Sequence, residues 1–236
     1  MDAPRLPPRL VQIAGVRGRE EAVMLLDAGA DLLGLPLRLP VHDPDMSEDE
    51  AAALARDVGG ERVCLITYES NPAETAALCR RLDAGAVQLH GGHPPGTLAA
   101  VRSALPRTLI IASLIVRSPD SAPLLAEAEA LAPHCHAFIT DTFDPATGAS
   151  GATGLTHPWE VDRELARRCG RPLILAGGLT PDNVAEAVRL VRPAGVDAHT
   201  GLEDADGTKN PDKVRRFVAE AKKSLAAPSS SHPPVR

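Results

Sequence analysis

Two neighbouring stretches, L-A-G-G-L-T-P-D-N-V at 175–184 and G-V-D-A-H-T-G-L-E at 195–203, decide the fold. Each starts at a short apolar run that predicts a buried strand, and the first continues into an amphipathic helix over 181–191. Each apolar run stops at a small-residue turn, where glycine lets the backbone approach a ligand closely. Apolar strands without alternation, separated by helices, are typical of a parallel sheet that is buried on both faces.

The same alternation runs through the rest of the chain. Strands are predicted at 10–14, 32–35, 62–67, 86–90, 109–114, 137–141, 172–177 and 196–200. Helices are predicted at 19–29, 47–57, 72–85, 95–105, 121–132, 157–169, 181–191 and 211–225. Eight strand–helix units in 236 residues predict an α/β fold, a single (β/α)8 TIM barrel. An open doubly wound sheet is the alternative, but no G-x-G-x-x-G follows the first strand.

Composition and charge limit the function classes. We expect a barrel domain over residues 1–226 and a disordered Ser/Pro-rich tail over 227–236. The net charge of −6 argues against a nucleic-acid partner, which needs a basic face. No apolar run approaches the ~18 residues of a membrane span, and the N-terminal stretch has no signal-peptide apolar region. We therefore expect a cytoplasmic protein, monomeric or homodimeric, with no nucleic-acid or membrane partner.

The four cysteines give no metal-site spacing, because no C-x-x-C pair occurs. His134-Cys135-His136 resembles a metal cluster in composition. It leads directly into an apolar strand, however, at the end of the barrel away from the chemistry. We therefore predict that the chain has no metal site.

The two small-residue turns predict a phosphate site. Functional residues of such barrels lie at the carboxyl ends of the strands, and the loops after strands seven and eight commonly bind phosphate. Gly177 and Gly178 follow strand seven, and Thr200 and Gly201 follow strand eight. Backbone N–H groups and a helix dipole satisfy a phosphate without an obligatory lysine. The alternative is that these glycines only make turns.

A third informative place is D-T-F-D-P-A-T-G-A-S-G-A-T-G at 141–154, after strand six. Asp141 ends a buried strand, where loss of hydration raises a carboxyl pKa and suits a general acid. The alternative is that Asp141 only caps the loop. Asp144 competes for the role, but its position beside Pro145 is typical of a turn residue. The small residues behind it indicate a flap over the ligand.

The order of motifs resembles that of one enzyme family. The chain shows Q-I-A-G-V at 12–16, V-Q-L-H-G at 87–91 and Asp141 ahead of G-A-T-G at 151–154. The two stretches quoted first follow, and then G-T-K-N-P-D-K-V-R-R-F at 207–217. Over about residues 10–225 this pattern is similar to that of the phosphoribosylanthranilate isomerases.

The resemblance implies an Amadori rearrangement of a small phosphorylated sugar-amine, with no metal or organic cofactor. It implies that Asp141 is the general acid and that the phosphate is held by Gly177, Gly178, Thr200 and Gly201. It places two further residues, His90 and Asp197, among the substrate-binding side chains.

The chain departs from the family at two places. The family's general base is a cysteine on strand one, and this chain has Ala14 there. The family also has an arginine after strand two that pairs with the anthranilate carboxylate, and this chain has none at that place. Arg38 and His42 are the nearby cations that we expect to replace it.

His199 is the expected replacement for the base. It stands where the family has the first serine of S-S-G, on the strand that closes against strand one. A neutral imidazole accepts a proton far better than a serine does. The alternative is that His199 hydrogen-bonds the phosphate.

Two functions therefore stay open. One is an isomerase that acts on a phosphoribosyl-amine with a relocated base. The other is a divergent paralogue that binds a different phosphorylated ligand, with another reaction or no catalysis.

Overall fold

Eight parallel strands close into a barrel in chain order, so the predicted TIM barrel is confirmed. The computed structural model describes residues 4–39, 44–143, 146 and 156–227. The strands are β1 (Leu10–Ala14), β2 (Leu32–Pro36), β3 (Val63–Thr67), β4 (Ala86–Leu89), β5 (Leu109–Val116), β6 (Ala137–Thr142), β7 (Leu173–Leu175) and β8 (Gly195–Ala198). Each strand pairs with the next, and β8 pairs back onto β1.

One helix follows each strand along the described chain. The helices are α1 (Arg19–Asp27), α2 (Glu48–Val58), α3 (Pro72–Leu82), α4 (Pro95–Ala104), α5 (Ala122–Leu131), α6 (Trp159–Arg168), α7 (Val184–Val191) and α8 (Pro211–Ala226). Short 3-10 helices at Gly60–Arg62, Ala132–His134 and Thr200–Leu202 were not predicted. No helix of the described part is both long and apolar enough to cross a membrane.

The core has two layers, one inside the barrel and one between the barrel and the helices. Because aromatics are only 2% of the chain, both layers consist mainly of aliphatic side chains. Phe138 and Phe217 are the largest fully buried side chains, and both lie in the outer layer. The inner layer comprises Leu10, Ala14, Leu32, Cys64, Ile66, Ala86, Leu109, Ile111, Ala137, Ile139, Ile174 and Ala176.

Two helix starts are fixed by the caps that the sequence indicates. Ser47 and Glu50 form a capping box ahead of α2, each side chain bonding to the other's backbone N–H. Asn210 accepts hydrogen bonds from the N–H groups of Asp212 and Lys213 at the start of α8. These bonds satisfy N–H groups that the helix itself leaves unpaired.

Two predicted boundaries are wrong around the turns that decide the fold. Helix α7 begins at Val184 rather than 181, because the side chains of Thr180 and Asn183 bond to the backbone and form a turn. Strand β8 ends at Ala198, so His199 lies beyond the strand, immediately before the 3-10 helix Thr200–Leu202.

Several predicted features lie outside the described residues. They are His42, Asp144, the G-A-T-G turn at 151–154 and the tail over 228–236.

The triplet around Cys135 contributes to the barrel rather than forming a cluster of exposed ligands. His136 Nδ1 accepts a hydrogen bond of 2.9 Å from the backbone N–H of Ile110 on β5, so that nitrogen is unprotonated. Burial, followed by the charges of Arg102 and Arg171, lowers the pKa of His136 to about 4. The unfolded chain therefore binds a proton at a higher pH than the folded chain does, and acid destabilises the fold through this residue.

We expect the free energy of unfolding to fall between pH 6.5 and pH 4 through His136. His136→Asn keeps an acceptor without a proton-binding site, so its urea-denaturation stability should decline less, by roughly 1 kcal/mol at pH 5 after allowance for solvent screening. His134→Asn, in the preceding 3-10 helix, is the control and should follow the wild type. Equal declines in all three proteins would contradict this role of His136.

Candidate active site

Asp141 lies at the carboxyl end of β6 with its side chain 13% exposed. Burial raises the pKa of Asp141 above its ordinary value. The opposing influences are smaller: His90, the N–H of Thr142, His157 and His199 each lower it. An acid with a raised pKa retains its proton closer to neutral pH, as a general acid must. The structure thus places Asp141 where the sequence predicts it, among three histidines.

A polar network crosses the barrel interior beneath this end. The Gln12 side-chain amide donates to Gln88 Oε1 at 3.1 Å, and Gln88 Nε2 contacts Ser113 Oγ at 3.4 Å and His90 Nδ1 at 3.3 Å. His90 Nδ1 lies 3.8 Å from Asp141 Oδ2. Buried polar side chains of this kind hold one another in a fixed arrangement. The network therefore orients His90 toward the acid.

Asp197 on β8 lies opposite Gln12 of β1 in the barrel sheet. Its Oδ1 atom is buried and has no partner among the described residues. Burial and the charge of Asp141 raise the pKa of Asp197 to about 7. Because the two carboxyl groups interact, their protons belong to the pair. At neutral pH we expect the pair to retain a proton.

The two small-residue turns are in direct contact. Gly177 and Gly178 have φ values of 98° and 62°, in the left-handed region that favours glycine. A Cβ atom on Gly201 would lie 2.0 Å from the carbonyl oxygen of Leu179, so no side chain fits between the turns. Glycine at these positions therefore lets the backbone after β7 approach the backbone after β8 closely, and Thr200 immediately precedes Gly201.

A buried histidine, His157, packs against the turn at Gly177 and Gly178. His157 Nδ1 lies 2.8 Å from Thr142 Oγ1, and its Nε2 lies 2.6 Å from Asp162 Oδ2. The Asp162 side chain is fully buried. A Cβ on Gly177 would clash with Thr142 Oγ1 at 2.3 Å and would lie 3.2 Å from the imidazole. Thr142 and His157 therefore pack the strand that carries Asp141 against the turn at Gly177 and Gly178.

The end of β1 carries Ala14 at the position where the resembled family has its cysteine. Ala14 is 4% exposed and faces the barrel interior, against Gly34 of β2. The next residue, Gly15, has a φ of 74° and lies against the ring of His199. A Cβ on Gly15 would lie only 2.0 Å from His199 Nε2. The imidazole thus lies against the residue that follows Ala14, the position of the missing thiol.

His199 is held there by two residues that the sequence analysis did not single out. Its Nε2 lies 3.2 Å from Glu203 Oε1, and Lys209 Nζ lies 2.7 Å from the same oxygen. Lys209 also donates to the carbonyl of Gly15 at 3.2 Å. Both residues fall within motifs quoted above, G-L-E and G-T-K, so the signal was present, but residue type did not show that they converge on His199.

Arg38 is less available than its sequence position indicates. Its guanidinium bonds to Glu48 at 2.8 Å and approaches Glu74 at 3.2 Å and Glu69 at 3.4 Å. The hydrogen bond that Arg38 donates to Glu48 raises the pKa of Arg38, against the effect of burial. A ligand carboxylate at Arg38 must therefore compete with three protein carboxylates. That Arg38 binds substrate stays a prediction.

Comparisons with known proteins give one family by sequence and by fold. The sequence profile described as N-(5'-phosphoribosyl)anthranilate (PRA) isomerase matches residues 11–220. N-(5'-phosphoribosyl)anthranilate isomerase 2 of Methanosarcina mazei is 35% identical over 90% of this chain and 93% of its own. N-(5'-phosphoribosyl)anthranilate isomerase of Roseiflexus is 39% identical over 90% of this chain and 97% of its own.

A solved structure, described as monomers of the dimeric phosphoribosylanthranilate isomerase from Thermotoga maritima, superimposes with a TM-score of 0.76. It is 25% identical over 91% of this chain and 98% of its own. The chain belongs to the N-(5'-phosphoribosyl)anthranilate isomerase family.

Proposed function

We propose that this chain catalyses the isomerisation of phosphoribosylanthranilate to the corresponding 1-amino-1-deoxyketose phosphate, a step of tryptophan biosynthesis, using His199 in place of the family's cysteine. The observation that carries the proposal is the contact between the His199 ring and Gly15. Gly15 directly follows Ala14, and this contact supports a role for the imidazole at the end of the barrel that bears Asp141 and the two glycine turns.

The reaction begins with proton transfer to the ring oxygen of the furanose. Asp141 donates that proton, the C1–O bond breaks, and the nitrogen lone pair forms the C1=N bond of a Schiff base. The raised pKa values of Asp141 and Asp197 favour a proton in this pair at neutral pH. A buried acid of this kind is suited to protonate a leaving oxygen.

The second step removes the proton from C2. His199 accepts it, and the C2–H electrons form the C1=C2 bond of an enolamine as the nitrogen becomes neutral. Proton return to C1 and loss of the hydroxyl proton at C2 then give the ketone. Each step transfers a proton or shifts an electron pair within the substrate, so the reaction balances without an oxidant or reductant.

The phosphate is bound by the contacting turns after β7 and β8. Gly177, Gly178 and Gly201 allow close approach of backbone N–H groups, which bind a phosphate without a charged side chain. Thr200 adds a hydroxyl donor at the start of its 3-10 helix. Binding at this end fixes the sugar between Asp141 and His199.

Further side chains complete the proposed substrate site. Arg38 and His42 are the proposed partners of the anthranilate carboxylate, and His90 and Asp197 face the sugar. We propose a cytoplasmic enzyme that is a monomer or a homodimer. The substrate is a small phosphorylated sugar-amine.

The decisive test of the base is turnover of phosphoribosylanthranilate, followed by its fluorescence. Wild-type protein should be active, and His199→Ala should lose roughly 10²–10⁴-fold in kcat, the contribution of a positioned base. Ala14→Cys should add little, since the imidazole already serves. His134→Ala, at the opposite end of the barrel, is the control and should retain activity.

Two outcomes would contradict the proposal. Near-normal turnover of His199→Ala would remove the role of that residue. If wild type and Ala14→Cys are both inert while phosphate still binds, the chain is the divergent paralogue with a different phosphorylated ligand.

The phosphate site is tested by titration with ribose 5-phosphate. Gly178→Asp places a carboxylate against the anion and should weaken binding at least about tenfold more than Gly178→Asn. Asn and Asp have the same size and tolerate the left-handed backbone alike, so the comparison isolates charge. Equal affinities of the two variants would show that the phosphate lies elsewhere.

A further inference from the structure

Glu203 and Lys209 face each other across the short loop that links the 3-10 helix to α8. They are joined by an isolated antiparallel backbone bridge, so their positions are fixed relative to each other. The Lys209 side chain is 0% exposed, Glu203 is 15% exposed and His199 is 23% exposed. A cation and an anion are thus enclosed beside the imidazole.

The enclosed lysine fixes the charge of Glu203. An ammonium group buried without a partner is costly, and Lys209 meets that requirement with the Glu203 carboxylate and the Gly15 carbonyl. Burial works against ionisation of Glu203, but hydrogen bonds from His199 and Lys209 outweigh it and lower the pKa of Glu203 to about 2. Glu203 is therefore a carboxylate throughout the neutral range.

The carboxylate in turn fixes the tautomer of His199. An ionised carboxylate only accepts hydrogen bonds, so His199 Nε2 must carry the proton in the contact with Glu203. In the neutral ring the lone pair is then on Nδ1. Because the ring also lies against Gly15, neither its position nor its basic nitrogen is free to change.

The charges around His199 come from three elements. Glu203, after the 3-10 helix, and Asp141, at the end of β6, favour the imidazolium form. Lys209, ahead of α8, opposes it, but its ammonium group is neutralised by the carboxylate that it shares with His199. Removing the charge of Glu203 would leave the imidazole beside an unneutralised lysine.

We propose that Glu203, anchored by buried Lys209, is a positioning residue that sets the tautomer of His199 and therefore which ring nitrogen accepts a proton. The inference rests on the proposed function only for its catalytic consequence. The arrangement itself is a carboxylate–histidine pair beside the position from which the family's thiol is absent.

The test is 15N NMR of the His199 ring nitrogens in the neutral ring, assigned by loss of the signals in His199→Gln. Wild type should show one tautomer, with the proton on Nε2. In Glu203→Gln the amide can either accept from Nε2 or donate to it, so both tautomers should appear and kcat should fall with little change in KM. Glu164→Gln, which neutralises a carboxylate on the surface of α6, is the control and should leave the ring signals unchanged.

A second variant guards against loss of folding. Glu203→Gln leaves Lys209 buried without its anion, whereas Glu203→Gln with Lys209→Met removes both charges. In this double variant the amide again leaves the tautomer unfixed, so both tautomers of His199 should appear as in Glu203→Gln. A single tautomer protonated on Nε2 in wild type and in both variants overturns the inference, whatever the activity. Absence of turnover in wild type overturns the proposed function instead, so the two failures are distinguishable.

Discussion

Closure of β8 against β1 is the constraint on which the site depends. The pairing sets Gln12 opposite Asp197 and Ile13 opposite Ala198, joining residues from the two ends of the chain. It brings the end of β1, where the thiol is missing, against the residue that follows β8. Without closure, His199 and Gly15 would not meet, and neither Lys209 nor Glu203 would reach the site. A parallel barrel also directs the carboxyl ends of all its strands to one face, so Asp141 and the glycine turns after β7 and β8 lie on the same face.

The cost of this arrangement is a barrel interior that is polar at its carboxyl end. Asp141 and Asp197 lose hydration there, and burial raises the pKa of both carboxyl groups. The charge of Asp141 raises the pKa of Asp197 further. The same physics that makes such groups costly makes them useful as proton donors near neutral pH. Lys209 differs from the two aspartates because its buried charge is neutralised by Glu203. The same Glu203 carboxylate contacts the imidazole of His199. In the proposed function, a ring whose tautomer is set by a neighbouring carboxylate takes the place of the thiol.

Much of the fold follows from local patterns, while the decisive contacts do not. Eight apolar runs, the capping box at Ser47 and the cap at Asn210 are readable because each depends on residues a few positions apart. The grouping of Asp141 with the glycine turns followed from the rule for strand ends. The link between His199 and Lys209 joins residues across a loop, and the support of Gly177 by His157 depends on how α6 packs. Those contacts come from three-dimensional packing, which periodicity does not encode.

The proposed reaction requires this chain to abstract the C2 proton of phosphoribosylanthranilate without a thiol. The most direct test is NMR of the product formed in D2O. Since the proton returned to C1 comes from a base that exchanges with solvent, we predict an aminodeoxyketose phosphate with one deuterium at C1. Formation of only anthranilate and ribose 5-phosphate, at the rate seen without protein, would contradict it.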